Sequence, residues 1–338
     1  MRKAFPARRV AAAVALLVLF ALAPARSQDR GPVVTSLTLF AGASSGLWRS
    51  TNWGGRWERV LGRSQGASLA EVGAVYGVLP LGRKVFAATQ AGLFLSDDFG
   101  ETWKKMGLDV PVLSVLPSRY PQADPTVFAG TADGLLKSTD GGLTFAPTVL
   151  RGTPVTHMEW PGPALVVATG HGVLVSTDGA QSFGSGMGLP NGPPAALAVS
   201  SFFIVDPVLF TAVGDAGVFR SADGARTWAP AGLEGKTVRD LVWLGPILYA
   251  ATTEGLFRSD DAGKRWTAAS GLAAQPARQL IFPLAPDSGL EAFLATDAGV
   301  LHTPDGGAHW KTTGALDDTV LCLATFPPPD PGPMRKSG

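Results

Sequence analysis

The chain is 338 residues long, 46% apolar and only 16% charged, which is ample material for a packed core. Its 28 Lys and Arg stand against 27 Asp and Glu, but five of the basic residues and none of the acidic ones fall within residues 1–27, leaving 23 against 27, a net of −4. That balance excludes an electrostatic surface for nucleic acid or anionic lipid, and the single cysteine, Cys322, excludes an internal disulfide or a thiolate metal cluster.

The first 27 residues read as an export signal. Arg2, Lys3, Arg8 and Arg9 make a basic start, and residues 10–23 are an unbroken apolar run too short to span a bilayer comfortably. Ala25 and Ser27 are small residues at the two positions a signal peptidase reads, so cleavage is expected after Ser27 and the mature chain is expected in the periplasm or outside the cell. An uncleaved anchor is the other reading. No later segment is long and apolar enough to span a membrane.

Beyond the signal one pattern recurs. An apolar triplet is followed by a small residue or Thr, a Gly-containing turn, two apolar positions and then Ser-x-Asp-x-Gly-x-x-Trp. Seven copies of the last element begin at Ser50, Ser96, Ser138, Ser176, Ser221, Ser259 and Thr303, 38 to 46 residues apart. That period is the length of a four-stranded propeller blade. In the sixth repeat, strands are expected at 238–243, 247–251, 256–258 and 265–268, with Gly255 at a tight hairpin turn where positive φ costs it little. The expected fold is therefore all-β: one seven-bladed β-propeller over residues 33–326.

The ends are informative. Before its first Ser-x-Asp element the chain offers only 37–41 and 47–49 as strands, so one blade lacks its innermost strand. After the seventh element, 319–325 matches an innermost strand and is followed by a Pro-rich tail, 327–338, which is expected to be disordered. The C-terminal strand is expected to complete the N-terminal blade and close the ring. Cys322 lies within it and reads as a buried, inert thiol.

Each Ser-x-Asp element sits where the third strand of a blade turns into the fourth. Its acceptors are Asn52, Asp98, Asp140, Asp178, Asp223, Asp261 and Asp305. A carboxylate there can accept backbone N–H groups that the turn would otherwise leave unpaired. A turn clip is needed in every blade, whereas a catalytic residue is needed once or twice, so the seven are read as structural. One carboxylate per turn is also too few for a calcium shell. Blades four and five carry Ala180 and Ala225 where Gly is usual, and Gly179 and Gly224 just before them are expected to take over the strained conformation.

This repeat resembles the Asp-box, or bacterial-neuraminidase, repeat over nearly the whole of the mature chain. The family includes sialidases, xyloglucanases, sortilin-type receptors and the photosystem II assembly factor. Seven boxes in one propeller are most similar to the last of these and its bacterial relatives. The resemblance implies that the boxes lie away from the ligand site. It does not carry a hydrolase over: the Phe-Arg-Ile-Pro-like stretch of sialidases is absent, and Tyr76, Tyr120 and Tyr249 are accounted for by strand packing or loops. Xyloglucanases use a cleft between two propellers, and this chain has material for one. No catalytic residue, metal site or cofactor is assigned.

Candidate binding residues come from the innermost strands, whose early positions are small or apolar except at Thr156-His157, Arg239-Asp240 and Arg278-Gln279, with Glu159 nearby. Polar groups converging in a concavity make a binding site, so His157, Glu159, Arg239, Asp240, Arg278 and Gln279 are candidates facing the central opening. A solvated channel lining is the plainer alternative. The loops at 62–72, 187–194 and 270–278 are the longest candidates for contacts. The expected function is a monomeric, exported, non-catalytic binding or assembly scaffold engaging a protein partner in the cell envelope. The alternative is a glycan-binding or glycoside-hydrolysing propeller, for which Trp160 and Trp243 would be the aromatic platforms.

Overall fold

The computed structural model describes residues 37–326, apart from 63–71, 122, 201–205, 245–246, 270–271, 273–274, 284–290 and 317. The export signal, the Pro-rich tail, most of the 62–72 loop and part of the 270–278 loop lie outside the described residues. The described residues form seven antiparallel sheets of four strands each, arranged as the blades of a ring. The innermost strands, from blade one to blade seven, are Val320–Phe326, Val75–Leu81, Val112–Pro117, Val155–Glu159, Pro194–Val199, Val238–Leu244 and Ala277–Ile281, and each lies against its two neighbours around the axis.

Blade one is built from both ends of the chain. Val320–Phe326 pairs antiparallel with Thr38–Ala43, from Thr38 opposite Phe326 to Gly42 opposite Cys322. The Ser44 N–H donates to Thr319 O at 3.0 Å, and the Asp318 carboxylate accepts from the hydroxyls of Ser44 and Ser45. Closure gives the last strand a partner on a sheet that would otherwise expose a bare edge.

One register irregularity recurs in all seven innermost strands. Pairing with the second strand skips the second residue, as between Val155 and His157, Val238 and Asp240, or Ala277 and Gln279; the same break occurs in the other blades. A bulge of this kind re-aims the side chains around it. The first and fourth residues then pack against the preceding blade: Val75 joins Cys322 and Ala324 of blade one, Val155 and Met158 join Phe128 and Leu135 of blade three, and Val238 and Leu241 join Phe210 of blade five. The third and fifth residues face the following blade. Opposite the third position the second strand always carries Gly or Ala: Gly42, Ala88, Gly130, Ala168, Ala212, Ala251 and Ala295. The reason is space. A Cβ on Gly130 would collide with Ser114 Oγ and with the carbonyl of Val155 in the next blade.

The boxes form the turns predicted for them. In blade three, Ser138 Oγ donates to Asp140 Oδ1 (2.7 Å) and accepts from Gly142 N (2.8 Å), while Asp140 Oδ1 accepts from Leu143 N and Thr144 N, both at 2.9 Å. Asn52 serves in blade one by accepting from Arg56 N at 2.8 Å. A further contact comes from the seventh box residue, whose side chain donates to the second carboxylate oxygen: Thr102, Thr144, Ser182 and Thr227 each do so at 2.6 Å. These bonds, that from Thr144 foremost, pull the Asp140 carboxyl down to about 2, and Asp178 is held lower still, chiefly by Ser182. In blade six Arg265 belongs to the turn, its N–H on Asp261 Oδ1, so the fourth strand is Thr267–Ala268 and shorter than the sequence suggested.

The expectation for Ala180 and Ala225 is corrected. Both are left-handed themselves, at φ 72° and 70°, and so are Gly179 and Gly224 before them. Every box needs two consecutive left-handed residues, so a neighbouring glycine cannot relieve the second. Trp53 (φ 60°), Phe99 (φ 61°) and Ala262 (φ 56°) carry the same strain at the first of the two positions. The box tryptophans do more than cover their own sheet. Trp57 Nε1 donates to Thr313 Oγ1 of blade seven at 3.2 Å, and Trp266 Nε1 donates to Ala231 O of blade five at 2.7 Å, so each seals its blade to the preceding one.

Candidate functional site

The second residue of each innermost strand lies at the end of the blade where the second and third strands turn, as Val238 opposite Thr252 and Thr252 opposite Gly255 show. The boxes lie at the opposite end, where Leu248 pairs with Ser259. The candidate residues at the mouth of the opening and the boxes are therefore on opposite faces of the ring.

At the mouth, Arg239 of blade six and Arg278 of blade seven converge on one carboxylate. Asp297, in the hairpin turn of blade seven, accepts from Arg278 Nε and lies 3.7 Å from Arg239 Nη1. Both arginine side chains are a little over a quarter exposed. Arg239 Nη1 is buried without a hydrogen-bond partner, and burial, together with the neighbouring Arg278 charge, lowers the Arg239 pKa. Two guanidiniums against one carboxylate leave an excess positive charge and unused donors. Sequence reasoning found both arginines but missed Asp297, which sits in a hairpin turn with no motif of its own.

One layer further in, four of the seven third residues bridge blades. Asp240 Oδ2 accepts from Leu280 N in blade seven at 3.0 Å, and Gln279 Oε1 accepts from Leu323 N in blade one at 2.5 Å. Ser114 Oγ donates to Val155 O, and Cys322 Sγ lies 3.7 Å from Val75 O in the same sense. Asp240 and Gln279 are thus engaged as clips between innermost strands. Burial nevertheless pushes the Asp240 carboxyl up to about 6. Cys322 is buried and its thiol is pushed up to about 12 by that burial.

Blade four differs. His157 occupies the clip position but its Nδ1 is buried and has no partner, and burial lowers the imidazole to about 4, so the ring is neutral at pH 7. Glu159 occupies the fifth position. Its side chain is solvent-accessible, because it opens on the channel, yet protein surrounds it closely; that desolvation, aided by the Asp240 charge, pushes its carboxyl up to about 7. The structure therefore groups the six candidates into an arginine pair at the mouth, two clips below it, and the His157–Glu159 pair on a separate blade.

Trp160, Trp243, His302 and His309 are engaged within the fold. Trp160 and Trp243 are half-buried and pack edge-on against Phe128 and Phe210 of the preceding blades, at 5.8 and 5.2 Å between ring centroids, and so are not open platforms. His302 stacks on Phe293 at 4.6 Å, and His309 Nδ1 lies 2.6 Å from Asp305 in its box. Among the described residues no group of three His, Cys, Asp or Glu is placed to hold a metal, and no helix is long and apolar enough to cross a membrane. A cavity of about 570 Å³ on the outer side of blade three, lined by Lys137, Phe145, Val149 and Arg151 among others, holds no carboxylate.

No protein-family model matches the chain, and no curated protein matches it. Solved structures do. An ancestral GH74 enzyme is similar at TM-score 0.60 and 17% identity, over 70% of this chain and 38% of that one; this chain therefore spans well under half of that enzyme's length. YCF48 from Cyanidioschyzon merolae is similar at TM-score 0.60 and 13% identity, over 82% of this chain and 98% of that one. YCF48 bound to D1 peptide is similar at TM-score 0.55 and 18% identity, over 71% and 81% of the two chains. At such identities the likeness shows the fold alone: the chain is a seven-bladed β-propeller, closed by its C-terminal strand, that shares its architecture with YCF48 and with part of an ancestral GH74 enzyme.

Proposed function

We propose that the protein is an exported, non-catalytic binding propeller that holds an acidic or polar segment of a protein partner at the central opening, on the face opposite the boxes. One observation carries this reading. Arg239 and Arg278 converge on the single carboxylate of Asp297, which leaves positive charge in excess at the mouth, on two guanidiniums that are each a little over a quarter exposed. The fold supports it, since YCF48, a propeller of similar architecture, is known in a complex with a peptide. The glycan reading has no comparable support, because Trp160 and Trp243 are packed between blades.

The test is affinity capture from the cell envelope with the mature chain, followed by a binding titration of the captured protein. The Arg239→Ala/Arg278→Ala double variant is expected to bind at least about tenfold more weakly, or about 1.4 kcal/mol, with its melting temperature unchanged. Unaltered binding by that folded variant, or binding to a glycan array in place of any protein, overturns the reading.

A further inference from the structure

The fifth position of the innermost strand faces the next blade, and in six blades it is aliphatic: Leu79, Leu116, Ala198, Val242, Ile281 and Ala324. In blade four it is Glu159. Two residues before it, on the same side of the strand and about 6.6 Å away along it, the third position is His157, the one polar clip residue whose ring nitrogen is left buried and unbonded. Among the described residues, the side-chain hydrogen bond from this strand to blade five is a long one, Thr156 Oγ1 to Pro194 O at 3.4 Å. The facing strand there, Pro194–Val199, presents Pro194, Leu197 and Val199, which offer no side-chain hydrogen-bonding group to either residue. A carboxylate at a fifth position that is aliphatic in six blades, two residues from an unbonded polar group at the third position, where Ser114, Asp240, Gln279 and Cys322 reach the next blade, marks a site whose polar groups await something outside the fold.

We infer that the seam between blades four and five, where the exposed Glu159 lies beside the partly buried ring of His157, binds a primary ammonium group. An ammonium carries three donors and no acceptor. It can satisfy the orphan Nδ1 of a neutral imidazole and the Glu159 carboxylate at once, while Asp240 adds negative charge from blade six. An anion would meet two carboxyl groups. A divalent metal would find too few ligands, since His157, Glu159 and Asp240 do not converge as a ligand set. The other charged groups of the channel are Arg239 and Arg278 at the mouth, which oppose a cation, and Asp297, which offsets one of them. A cation beside Glu159 favours its ionised form. Binding therefore releases the Glu159 proton and tightens as pH rises through about 7.

This inference deepens the reading of the central opening and rests on it, but it concerns different side chains, so the two fail separately. The probe is methylammonium chloride, with tetramethylammonium chloride, which has no N–H donor, as the control at equal ionic strength. Binding is read from the imidazole nitrogen shifts of His157 in a two-dimensional NMR spectrum and from the melting temperature. Methylammonium is expected to move the His157 Nδ1 signal at pH 8 and to bind at least tenfold more weakly at pH 5.5. The shift is expected to disappear in Glu159→Gln, and to persist in the Arg239→Ala/Arg278→Ala variant. A free amine and a partner's lysine share this chemistry; a lysine-containing tripeptide that binds more tightly than methylammonium assigns the site to a partner's side chain, and the reverse assigns it to a free amine. No shift with methylammonium, an equal shift with tetramethylammonium, or an unchanged shift in Glu159→Gln overturns the inference. Loss of partner capture in the arginine variant with the amine shift intact leaves it standing.

Discussion

At the scale of single residues, burial and hydrogen bonding set the sign of each ionisation's contribution to stability. Glu159 has its carboxyl raised from an ordinary 4.5 to about 7, because ionising it among protein atoms is costly. A raised carboxyl loses stability for the fold as pH rises from the unfolded value through the folded one, here from about 4.5 to about 7. Asp240 acts in the same direction from 3.8 to about 6. His157 acts in the opposite direction: a buried neutral imidazole loses stability as pH falls from 6.5 towards 4. Glu159→Gln is therefore expected to stabilise the protein at pH 8 by about 1 kcal/mol, after discounting for channel water, and to change nothing at pH 4.5. Denaturant unfolding at the two pH values checks this. The boxes have the other sign. The Asp140 carboxyl is depressed to about 2, so its contribution is complete above its ordinary 3.8 and is lost as pH falls towards 2.

Backbone strain is likewise local to single residues. Gly100 is at φ +86°, and a Cβ there would stand 2.9 Å from Cε1 of the fully buried Phe40. Gly100→Ala is expected to cost about 2–4 kcal/mol. Ala180→Gly relieves a left-handed alanine worth about 1–2 kcal/mol and removes a buried methyl worth about 0.8 kcal/mol, so a net stabilisation of up to about 1 kcal/mol is expected. Thermal unfolding of both variants checks the ordering.

At the scale of elements, the blade completed by both chain ends is the vulnerable one, and its two seams carry aromatic residues at strained box positions. Trp53 lies 6.3 Å from Phe293 of blade seven, and Phe99 of blade two lies 5.2 Å, edge-on, from Phe326 of the closing strand. In the other five blades that position is Gly141, Gly179, Gly224, Ala262 or Gly306, with no ring to contribute. Truncation before Thr319 removes the closing strand and exposes the inner edge of Thr38–Ala43. It is expected to abolish a single cooperative unfolding transition and to produce aggregates, measured by light scattering and melting of the truncated chain. The period of the repeat made the strands and the closure legible beforehand. The recurring bulge was not legible, because its signature is a Gly or Ala on the neighbouring strand, at a position that only the register identifies.

At the scale of the whole molecule, a ring with a net charge of −4 outside residues 1–27 carries a local excess of positive charge at one mouth. Partner binding there is expected to weaken as salt is raised from 50 to 300 mM, and that salt dependence is expected to shrink in the Arg239→Ala/Arg278→Ala variant; titrations at both ionic strengths check it. Local, periodic information sufficed for the number of blades, the box turns and the pairing of the two ends, because each depends on hydrogen-bonding and apolar patterns within one repeat. Only the tertiary structure separated the six polar candidates. Asp240 and Gln279 reach the next strand's backbone, His157 does not, and Asp297 of blade seven's hairpin turn meets arginines of two blades. Those outcomes depend on which side chains of neighbouring blades meet across the axis, and no pattern within one repeat records that.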